Sequence, residues 1–503
     1  MQTYNHNFPG YLRLLPVLGG SFIALAATFI LRLPNIWALL VTVGLAVFVL
    51  SFAVRNFKSY WLGVFALTLP LHITKLFSDA DHIREMVRLY NISAGEFPGW
   101  VVYLSDLPFI VLMLHWLFAI IYKRQKIFFP KSNLMALFFI GWAGLSLIKA
   151  PMLSYAFFDF IKFIKLYFVY LYIANNIRSK SEAKTLITFF LVGVVFQGLI
   201  CLYQYMSQDI SYIFGNLFGQ KDLYSPKGLE KYQFMFSVYS SASPLKRGSG
   251  TVGPINAEAQ YFEFLLPVAL ILWLTARRFW SRSFNLSVFS IGFLGLIVTF
   301  SRGGLIGIIA GIIAVLIYAK IYKLISNKKL LAIVFTCLIA GTAMFPSFYQ
   351  YIMSRPEAAI ARFGLMKVGM KIIIDNPIMG VGLNNQLIVA PKYDPDGYFS
   401  DMPTHNHYLV VASEIGIPGL VFLLGFLIIT CRTALKTSRS KNLYIAALSL
   451  GIFGAYTAIS AHALVDWLAT YTNQTFLWLY GGLIAALSRL DEISELSTAD
   501  LDR

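Results

Sequence analysis

The chain is a train of apolar runs joined by short polar links, and that pattern constrains its fold more than any motif does. The runs fall near 15–31, 36–54, 59–75, 101–122, 132–149, 155–177, 185–206, 256–276, 284–300, 303–319, 330–347, 407–431, 443–465 and 473–488. Each is long enough to approach or span a hydrocarbon core of ~30 Å at about 1.5 Å per helical residue. The expected fold is therefore an all-α polytopic integral membrane protein with about fourteen transmembrane helices. A residue content 58% hydrophobic and only 13% charged excludes an ordinary soluble globular domain.

The formal net charge of +17 would suit a nucleic-acid partner if the basic residues formed a patch. They do not. Arg55/Lys58, Lys123/Arg124/Lys126/Lys131, Arg178/Lys180/Lys184, Arg277/Arg278/Arg282, Lys320/Lys323/Lys328/Lys329 and Arg432/Lys436/Arg439/Lys441 occupy alternate links. The positive-inside bias places these links, and both termini, in the cytoplasm, and no nucleic acid is expected. The intervening links then face outward. The first run, flanked by Arg13 and containing Ala24-Leu25-Ala26, has features of a signal peptide but continues unbroken, which favours an anchor. Cys201, Cys337 and Cys431 lie in apolar surroundings without paired spacing, so neither a disulfide framework nor a metal knuckle is expected. The chain divides into N-terminal helices over 1–206, an outward loop over 207–255 and central helices over 256–347. A second large outward loop over 348–404 and C-terminal helices with a short tail over 405–503 complete it. The second loop holds an amphipathic helical pattern from Ala358 to Ile374 followed by a Pro/Gly/Asp segment.

Chemistry-bearing residues concentrate at the outward ends. Met402–Leu420 places His405, Asn406 and His407 before a helical run and breaks that run at Gly416-Ile417-Pro418-Gly419. A titratable cluster at the mouth of a membrane helix is costly unless something uses it. Arg247 precedes a Gly/Ser/Thr stretch and Asn256, which can cap the next span. Arg302 lies in the tight turn Ser301-Arg302-Gly303-Gly304, and Arg362 lies on the amphipathic helix. A helix starting at that turn points its N-terminus outward, with free N–H groups and two glycines that admit a close ligand beside a guanidinium. Helices starting near Asn256 and His405 share its direction, so three positive helix ends can share one surface. A diphosphate suits it, because arginine offers bidentate, permanently charged donors. The blander reading of each arginine is snorkelling to lipid headgroups, and of His405 an interfacial or capping role. His407 points to a different helix face and is the weaker candidate.

Other ionisable groups carry less. Asp159, Lys162 and Lys165 at helical spacing suggest an internal Asp159–Lys162 pair. His462 and Asp466, one turn apart, either orient a proton-transfer group or simply pair. Asp394-Pro395-Asp396-Gly397 has the look of a metal-binding DxD but is equally a turn signal, and no metal is expected there. Neither a P-loop nor a strand-linked GxGxxG is present.

Four motifs in order resemble the bacterial O-antigen ligase and polysaccharide polymerase (WaaL/Wzy-like) superfamily. They are Arg247…Gly250-Thr251…Asn256, Ser301–Gly304, Arg362-Phe363-Gly364-Leu365 leading to Asn376-Pro377-Ile378-Met379-Gly380-Val381-Gly382-Leu383, and His405-Asn406-x-x-…-Gly416-x-x-Gly419 with Tyr408 and Glu414 inside it. The chain departs from that pattern in lacking a Trp at Phe363–Leu365 and in carrying the extra His407. The resemblance implies a metal-independent, inverting GT-C-type glycosyltransferase of the bacterial inner membrane, without cofactor, acting at the periplasmic face. Its donor would be an undecaprenyl-pyrophosphate-linked glycan and its acceptor a saccharide, either a lipid-linked repeat (polymerase) or lipid A core (ligase). A flippase and a chain-length regulator are the partners such a pathway implies. In this reading His405 is the general base; Arg247, Arg302, Arg362, Gly303 and Gly304 hold the pyrophosphate; Asn256, Asn406, Tyr408, Glu414, His462 and Asp466 support them. A solute transporter is the rival from another class, and a non-catalytic scaffold a third reading.

Overall fold

The structure is a computed structural model and describes residues 35–71, 74–77, 100–207, 247–332, 335, 342, 357–395, 403–468 and 470–499. The expected first run at 15–31, most of the run at 330–347, the centre of the first long loop, Cys337, and Asp396-Gly397 lie outside the described residues. Helices occupy every other expected run. They are α1 Asn35–Leu50, α2 Phe57–Thr68, α3 Asp106–Ile121, α4 Asn133–Ser146, α5 Leu153–Asn176, α6 Lys180–Ser207, α7 Ile255–Thr275, α8 Phe279–Val298 and α9 Arg302–Ile321. After the second loop come α12 His407–Thr437, α13 Leu443–His462 and α14 Tyr471–Ala499, with α10 Glu357–Asp375 and α11 Gln386–Tyr393 inside the loop itself.

This is the architecture of a polytopic α-helical membrane protein. Among the described residues, six helices (α6, α7, α8, α9, α12 and α13) are long and apolar enough to cross a membrane. Others fall short for physical reasons: α2 has only 12 residues, about 18 Å of helix, and α5 carries Asp159, Lys162 and Lys165. One element departs from the all-α expectation. Thr74–Phe77 (β1) and Trp100–Tyr103 (β2) pair antiparallel, with Thr74 opposite Tyr103 and Phe77 opposite Trp100.

The core is centred on α7, which is buried along almost its whole length. It packs against α13, α8 and α9, and α9 packs in turn along α13. Small residues allow the close approach: a Cβ on Gly311 would lie 2.7 Å from the Gly454 carbonyl oxygen. A second group forms where α14 lies on α5 and α12 lies on α4.

Helix α12 is broken at Gly416, whose φ of 77° and ψ of 173° are non-helical. The break frees carbonyls that an apolar setting cannot leave unpaired. The segment after α10 supplies the partners: Val381 N–H donates to Ser413 O at 2.9 Å and Gly382 N–H to Glu414 O at 2.9 Å, while Ile417 N–H donates to Pro377 O at 2.8 Å. The two sequence motifs, Asn376–Leu383 and Gly416–Gly419, are therefore the two halves of one joint. A Cβ on Gly416 would lie 2.0 Å from Ile378 O, so both the positive φ and the space demand glycine.

Gly416→Ala should therefore lose about 3 kcal/mol or more of stability, read as a lowered Tm of the purified protein. Gly141→Ala on α4, where a new Cβ meets nothing within 4 Å, should change stability by under about 1 kcal/mol and in the stabilising direction.

Candidate active site

Three helix N-termini meet at one end of the bundle. Ser301, at the N-cap of α9, donates from Oγ to Asn256 Oδ1 at 3.1 Å near the start of α7. Asn256 Nδ2 donates to Asp466 Oδ2 at 2.5 Å. The main chain at the start of α12 joins the same residue, because His407 N–H is shared between Ala463 O at 2.9 Å and Asp466 O at 3.1 Å. A continuous chain of hydrogen bonds thus runs from the residue before Arg302 to the segment that carries His405.

Asp466 is the hub. Its Oδ1 accepts from Trp467 N–H at 2.9 Å; its Oδ2 lies 3.9 Å from His462 Nε2 and 4.0 Å from Arg362 Nη2. Burial alone would raise its pKa, but the facing His462 imidazole and the nearby His405 and Arg362 hold the carboxyl down to about 2. It is a fixed negative charge that orients positive groups around it.

His462 is positioned from its other side by a residue that the motifs did not single out. His462 Nδ1 lies 2.9 and 3.1 Å from the two carboxylate oxygens of Glu263, and both side chains are buried. A carboxylate only accepts here, so Nδ1 carries the proton. The available signal was an acidic residue inside the apolar run of α7, which is rare unless paired.

His405 is half-buried, and its Nδ1 lies 3.0 Å from Pro403 O. A carbonyl oxygen can only accept, so this contact puts a proton on Nδ1 and leaves the lone pair of the neutral ring on Nε2. Arg362, on α10, keeps 29% of its side chain exposed beside Asp466. Arg302 opens α9 next to the Ser301–Asn256 bond.

Several expectations need correction. Asn256 does not cap α7: Pro254 holds the N-cap position and the Asn256 side chain joins Ser301 to Asp466. Gly303 and Gly304 do not open a space for ligand. A Cβ at Gly303 would lie 2.4 Å from His462 Nε2 and one at Gly304 2.8 Å from Ala259 Cβ, so these glycines let helices and the buried imidazole pack closely. Nor are the turn's N–H groups all free, because Ser301 Oγ accepts from Gly304 N–H at 3.2 Å. Arg247 donates from Nε to Thr299 O at 2.6 Å, closing the end of α8 beside the Arg302 turn.

Among the supporting residues, Asn406 caps α12 by accepting from Leu409 N–H and donates to Leu464 O at 2.9 Å. Tyr408 OH donates to Ser460 O at 3.1 Å. Both tie α12 to α13. Glu414 lies apart, on the wall of a cavity with Asp159, Lys162 and His407. Asp159 and Lys162 do form an ion pair, whereas Lys165 reaches Asp106 at 2.9 Å on another helix.

What this arrangement defines is a polytopic membrane protein with a histidine and several arginines gathered where helices begin. Residues 286–424 match a family model described as O-antigen ligase. That match runs from α8 into the second half of α12 and takes in Arg302, Arg362 and His405, so this part of the chain is similar to that family. A search of curated proteins finds no match. Arg247, Asn256, Glu263, His462 and Asp466 all lie outside the matched residues, so their place in the cluster comes from the fold.

The depressed pKa of Asp466 sets the direction of a pH effect. A carboxyl whose folded value is lowered from 3.8 to about 2 stabilises the fold fully above the ordinary value, and that contribution fades as pH falls through the depressed one. Asp466→Asn should cost about 2 kcal/mol near neutral pH. The gap to wild type should close as pH falls from 3.8 towards 2, read by unfolding in detergent across that window.

Proposed function

We propose that the protein is a glycosyltransferase that moves a glycan from an undecaprenyl-pyrophosphate donor to a sugar hydroxyl at the periplasmic face, in surface or exopolysaccharide polymerisation. The observation that carries this reading is the gathering of His405, Arg362 and the Arg302 turn around Asp466, at the end of the bundle where α7, α9 and α12 all begin. The opposite ends of the same helices carry Arg277/Arg278, Lys320/Lys323 and Lys436. The positive-inside bias thus supports an outward-facing site and an inner-membrane location.

In this mechanism the acceptor hydroxyl oxygen bonds to the anomeric carbon as the bond from that carbon to the diphosphate oxygen breaks. The hydroxyl proton passes to His405 Nε2, and the lipid pyrophosphate leaves with the bonding electrons. Attack from the face opposite the leaving group inverts the anomeric centre. Arg302 and Arg362 stabilise the charge growing on the diphosphate, and Arg247 supports the turn beside them. No metal or cofactor is needed, because the guanidinium groups supply the charge and pyrophosphate is already a good leaving group. Asp466, His462 and Glu263 position these groups. A transporter would place its ionisable residues near the bilayer midplane, whereas this cluster sits at helix starts.

The test is turnover of a lipid-linked glycan by the purified protein. His405→Ala should lower turnover by about 10²- to 10⁴-fold; near-wild-type turnover would remove the base assignment. Arg302→Lys should weaken donor binding by about 10-fold or more, because an ammonium cannot reproduce the bidentate contact. A ladder of growing lipid-linked chains marks a polymerase, while a single transfer to lipid A core marks the ligase reading.

A further inference from the structure

A cavity adjoins the cluster and is used by none of the chemistry above. It opens between α4, α5, α12 and α14 and the start of α11. It shares its wall with the site: Pro403, whose carbonyl holds His405, and Trp467, which follows Asp466, both line it.

Its lining is mixed in a particular way. Phe139, Phe163 and Trp467 supply aromatic walls, while the Asp159–Lys162 ion pair, His407 and Gln474 supply hydrogen-bonding groups. Two of the side chains that line it carry a buried polar atom with no hydrogen-bond partner among the described residues, His407 Nδ1 and Gln474 Oε1. Each such atom costs about 1–3 kcal/mol if left unpaired in the protein interior. Gln474 is not loosely placed, since its Nε2 donates to Leu468 O at 2.9 Å. The neighbouring Gln386 is fully engaged, accepting from Thr404 N–H and donating to Thr404 Oγ1 and Ser413 Oγ. Inward, a small recess bordered by His407 and Gln474 continues the cavity, and its floor is Leu423, Leu477 and Trp478.

We infer that this cavity is a saccharide subsite that binds one pyranose ring of the acceptor, bearing a small apolar substituent such as an acetamido or 6-deoxy methyl group. The inference rests on the glycosyl-transfer reading. Charge argues for a neutral guest over a phosphate, because Asp159 offsets Lys162, Glu414 adds a second carboxyl group to the wall and the arginines lie elsewhere. Aromatic faces and fixed hydrogen-bonding atoms on the same wall suit a sugar, which presents C–H faces and hydroxyl edges together. The apolar floor has no use for a bare hydroxyl but accommodates a methyl group. Pro403 and His407 then place the ring beside His405, where its hydroxyl is to be deprotonated.

The test uses saturation-transfer NMR on the full chain in lipid nanodiscs, which avoids the sugar headgroups of alkyl glycoside detergents. The probes are the methyl glycosides of N-acetylglucosamine, N-acetylgalactosamine and rhamnose, with methyl glucoside as comparison. Wild type should bind at least one of the first three more tightly than methyl glucoside. Gln474→Leu should weaken that binding at least 5-fold, and Leu387→Trp, which fills the cavity from α11, should abolish it. Thermal unfolding and binding of inorganic pyrophosphate, which reports the arginine site, should stay as in wild type for both. Failure of all three glycosides to bind, or equal binding in both folded variants, overturns the saccharide subsite. Glucoside binding as tight as the others overturns the role of the apolar floor. Loss of pyrophosphate binding in wild type would instead remove the donor-site reading while leaving glycoside binding to be judged on its own.

Discussion

The site depends on a polar stripe along α7. Asn256, Gln260 and Glu263 fall at helical positions i, i+4 and i+7 of a helix otherwise buried among apolar side chains, and all three reach the same stretch of chain. Asn256 binds Asp466, Gln260 donates to Trp467 O at 2.9 Å, and Glu263 holds His462. Asn473 closes the group by donating to Ala257 O and Gln260 Oε1, both at 2.9 Å. In a low-dielectric interior these groups are tolerable only if they satisfy one another, so the stripe fixes the 462–467 segment with little latitude. That segment in turn receives the start of α12 and faces Arg362.

This ordering explains why residues far apart in sequence act as one unit. His405, Arg302 and Arg362 belong to different elements, the lead-in to α12, α9 and α10. Their common reference is Asp466, a carboxylate with backbone, amide, imidazole and guanidinium neighbours. A permanently ionised group in that position aligns cations without itself exchanging a proton.

The sequence made the spans readable because a membrane helix announces itself by length and hydropathy, and the break at Gly416 was readable because Gly-x-Pro-Gly cannot continue a helix undisturbed. The gathering of Arg302, Arg362 and His405 was foreshadowed by their places near the starts of helical runs. What could not be read was the direction in which side chains turn. Gly303 and Gly304 looked like room for a ligand and instead make room for His462 and Ala259; Asn256 looked like a cap and is a bridge. Glu263 passed unremarked because its partner is 199 residues away, a separation that local periodicity does not encode. The pairing of β1 with β2 was missed for the same reason, since the strands are short and lie at the two ends of a long link.

A broken membrane helix is commonly a point of bending, because freed carbonyls and a permissive glycine allow the two halves to swing. The break in α12 has the opposite character. Its carbonyls at Ser413 and Glu414 and the N–H of Ile417 are all taken by the Pro377–Gly382 segment, and Trp142 Nε1 donates to the Ile378 carbonyl from outside at 3.2 Å. Bending there would expose several backbone groups to hydrocarbon at once. The joint is thus a rivet that carries α10 and its arginine rigidly with the upper part of α12, so any opening of the bundle must occur at some other seam.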